Sequence, residues 1–149
     1  MFKSIGTVDA VVSCTGSVPF KPLTELDEAD YRAGFADKVM GQVSLVTEGL
    51  AYVADKGSFT LVSGILAREP IATGVAASLA NGALESFVMA ASAEMPRGIR
   101  INAVSPTVLA EAAGYHPYFP GFPQVAAADV ARAFVRSVQG IETGQVFKV

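Results

Sequence analysis

The sequence predicts an α/β domain in which a parallel sheet is buried between layers of helices. Two observations carry this. Short β-branched runs alternate with long helical patterns in the order strand, helix, strand, helix, strand, helix, strand, an alternation that right-handed crossovers fold into a parallel sheet. Of 149 residues, 51% are hydrophobic and only 17% are charged, which suits strands covered on both faces better than a sheet with one wet face. A chain of this length makes one domain with a sizeable core, so residues 1–149 are read as a single domain.

The elements follow in order. VDAVVSC (Val8 to Cys14) is short, apolar and followed by Thr15-Gly16, as a buried parallel strand would be. Cys14, the single cysteine, excludes an intrachain disulfide and reads as a small buried hydrophobe. The loop SVPFKPLTEL is broken by Pro19 and Pro22. A long helix is expected over residues 27–55, with Asp27, Glu28 and Asp30 at its positive end and Phe35, Val39, Val43, Val46 and Leu50 on its buried face. GSFTLVSG (Gly57 to Gly64) is the second strand. A second long helix is expected over 73–95, with Val75, Leu79, Ala83, Phe87, Ala91 and Met95 on one stripe. GIRINAVSP (Gly98 to Pro106) is the third strand, and 107–125 a loop rich in aromatics and prolines. AAADVARAFVRSVQG is the third helix and TGQVFKV the closing strand. The four strands are expected in sequential order across the sheet. No internal repeat or linker interrupts them.

The charge balance narrows the partners. A net charge of -3 with scattered Lys and Arg gives no basic face for nucleic acid and no attraction to an acidic membrane. The N-terminus MFKSIG lacks the basic-then-apolar layout of a signal peptide, and apolar stretches are broken by polar residues, so a cytoplasmic protein is expected.

Three segments, VDAVVSCTG, PRGIRINAVSP and TGQVF, occur in the order in which short-chain dehydrogenases/reductases carry similar ones. From Val8 onward the chain resembles the C-terminal part of that family, and especially a compact bacterial branch that shares wording such as KGSFTL, ANGA and EMPRGIRIN. The resemblance implies a Rossmann-like three-layer parallel sheet, NAD or NADP as cofactor, and a small carbonyl or alcohol as substrate. It implies Ser13, Thr15 and Gly16 beside the cofactor and Pro106 and Thr107 at the turn near the nicotinamide, although Thr107 stands where the family has glycine. A homodimer or homotetramer is also implied, built through the long helices, where Ala76, Ala77, Ala80, Gly82 and Ala83 permit close approach.

Two departures accompany the likeness. The glycine-rich phosphate turn and the first strands of the family have no counterpart, and the chain opens in what resembles the last turn of the third helix. Val8 to Cys14 would then be an apolar edge, so an N-terminally truncated domain is expected, with Met1 not its true start. The second departure is chemical. By resemblance, the tyrosine that serves as acid or base falls at Ala77, its lysine at Asn81, the asparagine of the preceding helix at Lys38, and the serine at Gly64 with Ser63 just before it. Alanine has no proton to give and an amide does not titrate.

Two readings of these positions stand side by side. Lysine and asparagine have exchanged helices, so that Ser63, Lys38 and Asn81 form a rearranged relay. Alternatively, Lys38 reaches solvent and Asn81 satisfies backbone groups. Glu111 falls where the family often has a threonine that donates to the cofactor, and a carboxylate there repels a pyrophosphate unless it points away. His116, the only histidine, reads as an exposed loop residue before it reads as an acid/base. Tyr115 and Tyr118 pack a lid, or supply the missing phenol if that lid folds over the site. Tyr31 reads as a surface residue. Two functions follow: an oxidoreductase with an atypical active site, or a catalytically silent relative that serves as ligand sensor or partner-binding subunit.

Overall fold

The computed structural model describes residues 1–149. A short helix α1 (Phe2–Ile5) leads into strand β1 (Val8–Val12), followed by helices α2 (Glu28–Gly34) and α3 (Gly41–Gly49). Strand β2 (Val53–Val62), helix α4 (Val75–Ser92), strand β3 (Arg100–Ser105), helix α5 (Ala127–Gln139) and strand β4 (Val146–Lys148) complete the chain. The strands pair in the sequential order β1-β2-β3-β4, all parallel, as the alternation predicts. The register aligns Phe59 with Val11 on one side and Ile101 on the other.

Both faces of the sheet are covered, and alternate residues go to opposite layers. Phe59, Leu61, Ile101 and Ala103 pack with Val39, Val46, Leu84 and Val88 of the helices that precede β3. Val104 and Phe147 face the other way, against Ala133 on α5. Polar contacts hold this second layer. Thr60 Oγ1 and Ser137 Oγ lie 2.6 Å apart, Asn102 Nδ2 donates to Glu142 O, and the Gln145 amide donates to Asn102 Oδ1. Arg100 donates to the Ser137 and Val138 carbonyls at the end of α5, where a cation is favoured. The chain moves the same way across the sheet at each step, yet α5 lies on the opposite face from α3 and α4. The last crossover therefore has the opposite hand to the first two, and the uniform rule used on the sequence fails there.

Four expectations are corrected. The helix predicted over 27–55 ends at Gly49, and residues 53–56 join β2. The end of the helix lies against the sheet at Gly49, where a Cβ would sit 2.9 Å from the Phe59 ring and 3.0 Å from that of Phe2. Within the remaining length a wide π turn, Phe35–Met40, separates α2 from α3 and leaves Phe35 exposed rather than on the buried face. On α4 the buried face is Ala76, Ala77, Ala80, Asn81, Leu84 and Val88, while Val75 and Leu79 of the predicted stripe are exposed. Cys14 is exposed, because β1 ends at Val12 and the chain has already turned out of the sheet. Helix α4 is long and apolar enough to cross a membrane by length and composition, but its buried face packs on the sheet.

Candidate active site

Parallel sheets present ligand sites beyond the carboxyl ends of their strands. A cavity of about 260 Å³ lies there, between the turn after β1, the π turn, the end of β2, helix α4 and the loop after β3. Gly16, Lys38, Ser63, Ala77, Asn81, Pro106 and Thr107 all line it. Of the candidate residues, Ser13 and Thr15 are not among its walls. Ser13 is buried with its hydroxyl unpartnered, and Thr15 is exposed.

Lys38 is placed by three contacts. Its carbonyl accepts from Gln42 Nε2, and the same buried amide exchanges hydrogen bonds with both the N–H and the C=O of Val62, pinning the π turn to β2. Gly16 crosses directly over the lysine stem: at φ +115°, a Cβ there would lie 2.7 Å from Lys38 Cα. Asp37 is occupied by Ser17, accepting from its amide at 2.6 Å and its hydroxyl at 2.9 Å, which holds that carboxyl below its ordinary pKa. The Lys38 ammonium has no hydrogen bond or ion pair within the chain. Burial therefore pushes its pKa below the ordinary 10.5, with the Asp37 charge opposing in part. The alternative in which Lys38 simply reaches solvent does not match this half-buried amine under a glycine lid.

This shift fixes the sign of a stability effect. The folded chain binds the Lys38 proton less tightly than the unfolded chain, so the charged amine costs stability below its folded pKa, and that cost fades as pH rises toward 10.5. Lys38→Met should accordingly raise the melting temperature at neutral pH, with the gain over the parent shrinking in alkaline buffer. Calorimetric melting of both chains across pH checks it, and a gain that grows with pH contradicts it.

Ser63 sits at the end of β2, its amide donating to Val104 O. Its hydroxyl donates to Glu85 Oε1 at 2.8 Å, and the same oxygen accepts from Arg68 Nη1 at 2.7 Å and Ser105 Oγ at 3.0 Å. With its proton committed, Ser63 offers a ligand only lone pairs. Asn81 is 5% exposed, and its Oδ1 is buried with no donor. Its Nδ2 lies 3.1 Å from where a Gly64 Cβ would be, so glycine at 64 makes room for the amide. The reading in which Asn81 satisfies backbone groups finds no such bond.

The loop after β3 forms a lid. Pro106 O accepts from the Ile65 amide, and Thr107 Oγ1 donates to Pro123 O. Glu111 points away from the cavity, and both carboxylate oxygens accept from the Ala127 amide at the start of α5. His116 is half-buried with both ring nitrogens engaged, one with Leu109 O and one with Gln124, so it staples the lid together. Tyr115 reaches the cavity wall and meets Phe20 edge-on at 6.3 Å, whereas Tyr118 lines a separate groove with Pro70 and Phe122. Tyr31 is half-buried beside Phe35 and Met40. Sequence reasoning missed the Arg68, Glu85 and Ser105 cluster. The signal was available, since Glu85 continues the one-turn series of Ala77 and Asn81 and is the only charge in α4.

Comparison with known proteins follows the same lines. Residues 1–147 match the family model described as enoyl-(acyl carrier protein) reductase. The structure superposes on the Listeria innocua protein lin1944 with a TM-score of 0.97 at 49% identity, covering 99% of this chain and 74% of that one. A small-chain dehydrogenase in complex with NADPH gives a TM-score of 0.89 at 27% identity, with 99% and 74% covered. Among curated proteins, glucose and ribitol dehydrogenase homolog 2 of Arabidopsis thaliana is 25% identical over 104 residues, 69% of this chain. The match spans only 36% of that relative's length.

Proposed function

Because the chain belongs to the short-chain dehydrogenase/reductase family, we propose that it is the catalytic part of an NAD(P)-dependent oxidoreductase with an atypical active site, acting on a small carbonyl or alcohol. The observation that supports this best is the gathering of Lys38, Ser63, Ala77 and Asn81 around one cavity at the carboxyl ends of β1, β2 and β3. A relative of the same fold is described in complex with NADPH. The residues here suit the nicotinamide end of such a cofactor: Gly16 brings backbone close to the cavity, and Pro106 and Thr107 wall its far side. Nothing in the sequence suits the pyrophosphate, since no glycine-rich strand-to-helix turn is present. The cofactor would supply or accept hydride. The chain's part is to hold the substrate oxygen and move its proton.

In this reading Lys38 is the proton donor toward a carbonyl oxygen, or the acceptor from an alcohol, because its lowered pKa brings it nearer the working range of an acid/base. Ser63 accepts from a substrate hydroxyl through its free lone pairs, and the Asn81 amide on the same wall offers a second polar contact. Tyr115 is the one phenol on the wall and shields the cavity from the lid side. Ala77 and Asn81, standing where the family has its acid and lysine, also favour a second reading, a silent relative that binds a ligand without turnover. Titration calorimetry of the full-length protein with NADPH and NADH, followed by a carbonyl-reduction assay, separates the two. Binding with turnover that Lys38→Met abolishes supports the oxidoreductase; binding without turnover supports the silent relative; no binding defeats both forms of the cofactor claim.

Location and assembly belong to the same proposal. A cytoplasmic location is favoured by the single cysteine, which can form no disulfide within the chain. Exposed Phe35, Met40, Leu79 and Met89 on the π turn and α4 favour a homodimer or homotetramer through these elements. Light scattering that reports a monomer at micromolar concentration contradicts it.

A further inference from the structure

The cavity holds an amine without a partner and no carboxylate. Apart from Lys38, the only titratable group on its wall is Tyr115; Asp37 on the same turn is occupied by Ser17, and Glu85 behind Ser63 is paired with Arg68. The other walls are largely apolar: Val18, Phe20, Ile65, Leu66, Val108 and Phe119. The lysine stem cannot swing freely, because Gly16 presses on it from above and the Gln42 amide fixes its backbone from below. A π turn at this point widens the helix beneath the side chain, a feature frequent at functional sites. A desolvated, positioned and unpaired lysine is the arrangement that makes an amine a nucleophile rather than a charge.

We infer that Lys38 captures small apolar aldehydes or ketones covalently, as an imine, in the cavity bounded by Ala77, Asn81 and the lid. The Nζ lone pair forms a bond to the carbonyl carbon while the C=O π pair moves to oxygen. That oxygen takes a proton from solvent and nitrogen gives one up, leaving a carbinolamine. Protonation of its hydroxyl then expels water as the nitrogen lone pair completes the C=N bond, and the iminium so formed returns its N–H proton to solvent to give the imine. Nothing is oxidised or reduced, and the balance is carbonyl plus amine giving imine plus water. The Asn81 amide, on the cavity wall and without a hydrogen bond of its own in the chain, is placed to bond the carbinolamine hydroxyl. Burial lowers the Lys38 pKa, which raises the share of neutral amine available for attack. The capture uses the pocket of the reading above but not its cofactor, so hydride transfer can fail with capture intact, and capture can fail with hydride transfer intact.

The test is selective labelling of the unmodified chain. Benzaldehyde with sodium cyanoborohydride, which delivers hydride to the iminium carbon and fixes it as a secondary amine, is applied without nicotinamide, and peptides are mapped by mass spectrometry. An ordinary lysine is neutral in only about one molecule in 10³ near neutral pH, so burial and a bounded cavity together favour attack by Lys38 over the exposed lysines. The expected result is Lys38 labelled at least about tenfold faster than Lys3, Lys21, Lys56 or Lys148, with a rate that levels off at lower pH than theirs. That lead should vanish in urea, where burial is lost, and Ala77→Phe, which narrows the cavity in a chain shown by melting to be folded, should slow Lys38 alone. Equal labelling of all five lysines, or a Lys38 rate that climbs with pH in parallel with the others, overturns the inference.

Discussion

Ala77→Tyr combined with Asn81→Lys should raise the rate of carbonyl reduction by the protein by about 10²–10⁴-fold, the usual contribution of a positioned acid. The two positions lie one helical turn apart on α4 and both face the cavity, so a phenol at 77 and an amine at 81 would address the same substrate oxygen. The cavity is open enough at about 260 Å³ to receive the ring, and the lysine removes the orphaned Asn81 Oδ1 from the interior. One charge stands in the way. Lys38 already occupies the pocket, and two amines there disfavour each other's protonation. Adding Lys38→Asn should therefore increase the gain further. Steady-state kcat/KM for the parent, the double and the triple variant decides the matter, and three indistinguishable values would mean that the reaction does not take place in this cavity.

Phe59→Ala should remove about 3–5 kcal/mol of stability, the range for deleting a buried phenylalanine. Phe59 is fully buried at the centre of the layer beneath α3 and α4. Its ring lies against Gly49, whose backbone already touches it as closely as a glycine allows, so α3 cannot move in to fill the space without leaving the sheet. A cavity that cannot collapse is the costly kind. Natural domains hold only about 5–15 kcal/mol in total, so denaturant titration should show a midpoint lowered far outside error. A loss below about 1 kcal/mol would mean that the layer repacks around the missing ring.

The strand order and the two-sided burial were legible because both rest on local pattern: β-branched runs separated by helical lengths leave few other arrangements. The placement of Lys38, Ala77 and Asn81 around one space could also be expected, since one-turn spacing on α4 and the preceding helix's position are fixed by the topology. Three features were not legible. On α4 the large residues Val75 and Leu79 looked like the core face, but the helix packs so close that the alanine face, Ala76, Ala77 and Ala80, fits there instead. The close packing at Gly49 depends on two aromatic rings, Phe2 and Phe59, that other elements bring to it. The commitment of the Ser63 proton to Glu85 depends on Arg68 and Ser105 converging from a loop and another strand. Each is a contact between segments, which periodicity within a segment does not carry.

The change of side between β3 and α5 has a consequence for how such a protein can diversify. A chain that leaves the carboxyl end of β3 and must reach the opposite face has to travel over the rim of the sheet, and the rim is where the cavity opens. The segment from Pro106 to Ala126 is therefore draped across the mouth by the route itself, whatever it encloses. Pro106 O to Ile65, Thr107 to Val149 and Glu111 to the start of α5 tie it to the rest of the chain, while Thr107 to Pro123, the backbone pairing around Val125 and the two His116 contacts close it on itself. Away from those contacts residues can be exchanged without disturbing either packed layer. Descent with modification would then rewrite the choice of substrate in this span while the strands and the lysine beneath it stay as they are.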